Sequence, residues 1–132
     1  MTETKVLFLW KADIKLINHL NSSLKKAGNV KTIFPKNLSK TNLIRHAKDA
    51  DVIVGWKPDM ELLLNAKKLK LFVNPGTGVK HQIKNFRELR NVSKAVLVNG
   101  HGHSYSTAQH TVAMLLSLMN RIVIHHNRMK DG

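Results

Sequence analysis

The sequence predicts an α/β fold: a five-stranded parallel sheet flanked by helices, with a long C-terminal helix. Two observations carry this. Short apolar runs of strand length alternate with stretches whose apolar residues recur at three- and four-residue steps, the spacing of one helix face. The strand-like runs are apolar almost throughout, as in parallel sheets covered on both faces. Length adds a bound: 132 residues, 42% of them hydrophobic, suffice for one packed domain and not for two. With five strands and right-handed crossovers, the flavodoxin-like strand order 2-1-3-4-5 is the leading topology.

The elements follow in order. Val6-Leu7-Phe8-Leu9-Trp10 is the first strand. Asp13 is placed to cap a helix carrying Ile14, Ile17, Leu20 and Leu24, and Gly28-Asn29 stops it. Val30 to Phe34 is the second strand, closed by Pro35. Ser39 and Thr41 offer caps to a short helix through Leu43, Ile44 and Ala47. Asp51 precedes the third strand, Val52-Ile53-Val54-Gly55, and Asp59 can cap a helix with Leu62, Leu63 and Ala66. The fourth strand, Leu69 to Val73, is closed by Asn74-Pro75-Gly76. Gln82 to Leu89 reads as a short basic helix and Ala95 to Val98 as the fifth strand.

The last segment differs. Ser106-Thr107-Ala108-Gln109 has capping-box spacing, and a helix is expected from there toward Met129. Val112, Leu115, Leu116, Met119, Ile122 and Val123 leave its middle little polar face. A helix apolar nearly all round needs burial on more than one side. A homodimer through helix 106–129, or docking to further protein, is therefore expected.

Composition excludes several classes. Without cysteine there is no disulfide scaffold, cysteine nucleophile or thiolate metal site. No apolar run approaches the roughly 18 residues a membrane helix needs. No signal peptide is evident before the first strand, and a cytoplasmic location is expected. The net charge is +14, and residues 62–132 carry 11 basic side chains against 2 acidic ones. Such charge attracts phosphate backbones. However, 17 of the 22 basic residues are lysines spread along the chain, aromatic content is 5%, and no recognition motif appears. Nucleic-acid sites favour clustered arginine and stacking aromatics, so that reading ranks last.

In open α/β sheets, ligands bind beyond the carboxyl ends of the strands. Four loops fall there: Trp10-Lys11-Ala12, Trp56-Lys57-Pro58, Asn74 to Val79 and Asn99 to Ser104. Gly76-Thr77-Gly78 is the most informative, because two glycines admit close approach and their amides can face an anion. A plain tight turn is the alternative. No third glycine completes a dinucleotide fingerprint, and no Gly-Lys-Ser/Thr ending makes a phosphate loop. His101, His103 and His110 have imidazoles that can bind metal, yet no acid lies nearby to assist and no metal site is expected. His125-His126 reads as a solvated helix end. Ser104 and Ser106 read as helix caps, since no acid–histidine pattern accompanies them. Glu88 and Asp131 are the only acids after Glu61, so no acid pair is placed for acid–base catalysis and no catalytic residue is assigned.

These segments together resemble the N-terminal part of the D-isomer-specific 2-hydroxyacid dehydrogenases, the group that includes formate and glycerate dehydrogenases. Ala50-Asp51-Val52-Ile53-Val54 is similar to the family's third strand. Leu69-Lys70-Leu71-Phe72 leads into Gly76-Thr77-Gly78-Val79 as the family's strand leads into its Gly-x-Gly substrate loop. Val96-Leu97-Val98-Asn99 resembles the strand ending in Asn, and Ser106-Thr107-Ala108-Gln109-His110 the start of the long helix. The resemblance implies a flavodoxin-like substrate-binding domain over 1–101. It implies a loop and long helix over 102–132, for dimerisation or for docking to a nucleotide-binding domain. Amides around Thr77, Gly78 and Val79 would hold a substrate carboxylate, and Trp56 and Lys57 would line the pocket. His103 falls where formate dehydrogenases carry a substrate-binding Asn.

Departures bear on the same reading. Lys80 stands where the family has an acid, Gln109 where it has Glu, and the loop after Asn99 is one residue shorter than the longer family form. The chain stops at Asp131-Gly132, where the family continues into the domain with its Gly-x-Gly-x-x-Gly loop and catalytic residues. The expectation is a truncated or partial NAD(P)-dependent dehydrogenase, inactive alone, with no cofactor bound by this chain and NAD(P) implied for the complete enzyme. The alternative is a stand-alone module that binds a small carboxylate or other anion without chemistry.

Overall fold

The computed structural model describes residues 3–132 and divides into two compact units, one ending at Gly100 and the other spanning His101–Gly132. The first unit holds five strands: β1 (Thr4–Phe8), β2 (Val30–Ile33), β3 (Val52–Val54), β4 (Leu71–Asn74) and β5 (Val96–Asn99). All pair in parallel, in the order β2-β1-β3-β4-β5, as expected from the sequence. Four helices connect them: α1 (Ile14–Lys25), α2 (Lys40–Ala47), α3 (Met60–Asn65) and α4 (Ile83–Leu89). Asp13 and Asp59 cap α1 and α3, accepting from the amides of Leu16 and Leu62 at 2.8 and 2.9 Å. Ser39 sits at the N-cap of α2 without a side-chain bond. The helix expected from Gln82 is two pieces, a 3-10 turn over Lys80–Gln82 and then α4.

Register puts Leu7, Ile53, Phe72 and Leu97 in one row across the sheet. The first three are fully buried against Ala47 of α2, Leu62 and Leu63 of α3, and Phe86 and Leu89 of α4. Strand side chains alternate between faces, so Val6, Val52, Leu71 and Val96 form a row on the other face, and Phe8, Val54, Val73 and Val98 a second. Val6 and Phe8 are buried, but Val96 is 56% exposed. Cover on both faces, which the apolar runs suggested, holds at β1 and is lost toward β5.

The second unit holds α5 (Ser104–Met119) and α6 (Ile122–Asp131). Two expectations are corrected here. Ser106 and Gln109 do not form a capping box, because the N-cap lies three residues earlier, at His103. The Ser104 amide and hydroxyl both donate to the His101 carbonyl, at 3.1 and 2.9 Å, and this turn begins α5 behind His103. The helix over 106–129 is not continuous. Asn120 donates its amide and its side-chain Nδ2 to the Leu116 carbonyl, and Arg121 turns left-handed (φ 50°, ψ 37°). A left-handed residue after the last turn is a common helix stop, and Arg121 serves that role without the usual glycine. The side chains of both helices stand mostly exposed, Leu118 at 77%. No helix among the described residues is long and apolar enough to cross a membrane.

Candidate functional site

The glycine loop after β4 is organised by two asparagines at the ends of neighbouring strands. Asn74 closes β4 and Asn99 closes β5, and the two are register partners. Asn74 is 1% exposed, and its Nδ2 donates to the carbonyls of Gly76 at 2.8 Å and Gly78 at 2.9 Å. Asn99 Nδ2 donates to the carbonyl between them, that of Thr77, at 2.6 Å. Three successive carbonyls are thus drawn toward the sheet. In a trans peptide the following N–H points the opposite way. The amides of Thr77, Gly78 and Val79 therefore face outward, and among the described residues no acceptor takes them. Three successive outward-facing amides are donors that an anion could approach, and the loop that carries them is a candidate anion cradle.

The cradle has space in front of it. A Cβ built on Gly78 meets nothing within 4 Å, so the backbone is open to close approach there. Behind it the packing is tight: a Cβ on Gly100 would lie 2.9 Å from the Pro75 carbonyl oxygen, and the Gly100 amide donates to Asn74 O at 2.9 Å. This locks the end of β5 onto the loop it supports.

One wall is aromatic. The Trp56 indole Nε1 comes 3.5 Å from a Cβ built on Gly76, so the ring borders the loop while remaining 47% exposed. Trp10 lies against it with ring centroids 4.9 Å apart, Phe8 meets Trp10 edge-on at 5.1 Å, and Phe34 stacks on Phe8 at 4.3 Å. Composition hid this cluster: the chain has few aromatics, yet four converge along the carboxyl ends of β1, β2 and β3. Lys57 and Lys80, exposed neighbours of Trp56 and Val79 in the chain, add positive charge.

Of the predicted residues, Trp56 and Lys57 lie on the loop after β3 and Thr77, Gly78 and Val79 on the loop after β4, all in the first unit, and the Trp56 ring borders Gly76. His103 belongs to the second unit, at the N-cap of α5. Sequence reasoning missed Asn74 and Gln82. In the sequence, Asn74 reads as part of a strand-closing turn and Gln82 as the start of a helix. The signal for the first was present, since two strands that neighbour in the predicted order both end in Asn. Gln82 is 1% exposed, donates to the Trp56 carbonyl at 2.5 Å, and stands 3.3 Å from Asn74 Oδ1.

Four acids are engaged in ion pairs elsewhere. Lys68 pairs with Asp49 and Lys70 with Asp51, each at 2.8 Å, while Lys40 reaches Asp59 and Glu61. The hydrogen bond from the Lys70 ammonium holds the Asp51 carboxyl below the usual carboxylate range, with the Lys5 amide adding to it. Among the described residues no three His, Cys, Asp or Glu side chains group as metal ligands.

No protein-family model and no curated protein sequence matches the chain. Solved structures do. The NAD+-bound 3-phosphoglycerate dehydrogenase of Entamoeba histolytica is 25% identical with a TM-score of 0.57, over 74% of this chain and 33% of that one. The D-isomer specific 2-hydroxyacid dehydrogenase of Lactobacillus delbrueckii ssp. bulgaricus, in its NAD complex, has a TM-score of 0.64 at 12% identity, over 90% of this chain and 37% of that one. The pyruvate reductase of Chlamydomonas reinhardtii has a TM-score of 0.58 at 18% identity, over 98% of this chain and 39% of that one. This chain thus spans less than half the length of each. The chain thus shares the fold of these dehydrogenases, over a segment shorter than their whole chains.

Proposed function

We propose that this chain is the substrate-binding part of a 2-hydroxyacid dehydrogenase and that it binds a small carboxylate. One observation carries the reading: the carbonyls of Gly76, Thr77 and Gly78 are held inward by Asn74 and Asn99, so three consecutive amides face out. A carboxylate has two oxygens and four lone-pair sites, and suits such a donor set. Trp56 and Trp10 would cover an apolar substituent beside the carboxylate, and Lys57 would add field strength at the rim.

NAD would serve the complete enzyme, as in the NAD-bound neighbours, and would supply hydride transfer there. The residues of this chain do not fit it. The glycine loop lies at the fourth strand, and a three-residue 3-10 turn follows it where a pyrophosphate site needs a helix N-terminus. A nucleotide-binding domain is the partner the reading requires. A dimer through the exposed apolar residues of α5 and α6 is part of the same proposal.

Titration of the labelled protein with oxalate tests the cradle. The expected result is saturable shifts at the amides of Thr77, Gly78 and Val79, and no shift at millimolar oxalate overturns the reading. An NADH assay with glyoxylate, pyruvate and hydroxypyruvate tests incompleteness. The pure chain is expected to be inactive, and steady turnover by it would contradict the proposal.

A further inference from the structure

We infer that Gln82 is a positioning residue for the carboxylate cradle, coupling its floor to its aromatic wall; the inference rests on the binding reading above. Gln82 follows the glycine loop by four residues and ends the 3-10 turn, with its side chain fully enclosed. Its Nε2 carries two hydrogens. One goes to the Trp56 carbonyl at 2.5 Å and the other faces Asn74 Oδ1 at 3.3 Å. His81 Nε2 meets the same Trp56 carbonyl at 2.8 Å, so one carbonyl is gripped by two neighbouring side chains.

The consequence is a fixed order of polarities. An asparagine amide has an acceptor end and a donor end that are almost the same shape. Gln82 places a donor against one end of Asn74, so that end must be the oxygen. Asn74 Nδ2 is then the end left for the loop, and it takes the carbonyls of Gly76 and Gly78. Those carbonyls, turned inward, send the Thr77 and Val79 amides outward. With an apolar residue at position 82, nothing selects this arrangement. A flipped Asn74 would set its oxygen against two carbonyl oxygens, and the loop would have to turn. The same glutamine holds the Trp56 backbone, whose indole borders Gly76. Loops after β3 and β4 therefore share one side chain.

Gln82 also carries a cost. Its Oε1 is buried and has no partner among the described residues. A buried unsatisfied acceptor costs about 1–3 kcal/mol, which offsets much of what its two donor bonds contribute. A residue kept for packing alone would be better served by Met or Leu. Stability and binding should therefore part company at this position.

Gln82→Met, close in shape and without polar hydrogens, is the test. Its unfolding midpoint is expected to stay near that of the wild type, while oxalate affinity falls by about tenfold, the equivalent of one lost hydrogen bond to a charged ligand site. Wild-type titration supplies a second measurement that needs no variant. As Thr77 and Gly78 shift, the Gln82 side-chain amide and the Lys57 backbone amide, which shares its peptide with the Trp56 carbonyl, should shift along the same curve. Equal oxalate affinity in a folded Gln82→Met overturns the inference and leaves the cradle standing. So does a Gln82 side-chain amide that stays fixed while Thr77 and Gly78 move, even if the variant fails to fold. No movement at Thr77 and Gly78 in the wild type removes the cradle and this inference together.

Discussion

At Gly78 the chain leaves a space that a single methyl group would fill. The residue has no neighbour within 4 Å of a built Cβ and no positive φ, so Gly78→Ala places the methyl without backbone strain. Stability is expected to change by less than about 0.5 kcal/mol, while oxalate binding weakens severalfold, measured by denaturation and titration of the same sample. Asn74 behaves differently, because its removal strips partners from two loop carbonyls beside a buried site. Asn74→Ala is expected to destabilise by about 2 kcal/mol and to abolish oxalate binding. A third residue gives a pH signature. Asp51 is a depressed carboxyl, bonded by Lys70 Nζ at 2.8 Å and by the Lys5 amide at 3.1 Å. A carboxyl with a lowered folded-state pKa stabilises above its unfolded value, and the contribution is lost as pH falls through the folded one. Acid unfolding of Asp51→Asn should therefore be shallower than that of the wild type below about pH 4, and parallel curves would contradict the bond's role.

Among the elements, those set by local rules were readable and those set by geometry were not. The runs around Leu7, Ile53 and Phe72 announced strands, and Asp13 and Asp59 announced helix starts. The order 2-1-3-4-5 followed from strand number and crossover handedness. The α5 start and the α5–α6 break were illegible for a common reason: neither uses the residue types that mark such places. A backbone turn onto the His101 carbonyl opens α5, and an arginine in left-handed conformation closes it. Arg121→Gly removes the cost of that conformation, about 1 kcal/mol. It is expected to slow hydrogen exchange at the Asn120 and Arg121 amides, and faster exchange there would count against the αL stop. Site legibility divides in the same way. Gly76-Thr77-Gly78 and Trp56 were visible as residue types at a strand edge. Asn74 and Gln82 act through hydrogen bonds that span from 2 to 26 residues of chain, and no periodicity reports that.

For the whole molecule, the +14 charge and the exposed apolar helices make opposite predictions about salt. Charged surfaces of like sign repel, and added salt screens them. Association through α5 and α6 should strengthen as salt rises, whereas binding to nucleic acid should weaken steeply. Sedimentation across a salt series separates the two, and a monomer at every salt concentration contradicts the dimer.

Asn99 and Gly100 hold one more consequence, a chemical one. An asparagine followed by glycine is the pair in which the next backbone nitrogen most readily attacks the side-chain carbonyl carbon, expelling ammonia to form a succinimide that water then opens to aspartate or isoaspartate. Here the Gly100 nitrogen is committed to Asn74 O at 2.9 Å, and Asn99 Nδ2 to the Thr77 carbonyl. Both residues of the pair are engaged in these hydrogen bonds while β5 stays docked. Ageing at this bond would then be timed by local opening of the sheet edge. Each event would place a carboxylate beside the Thr77 carbonyl, adding a negative charge that would oppose the proposed binding of anions.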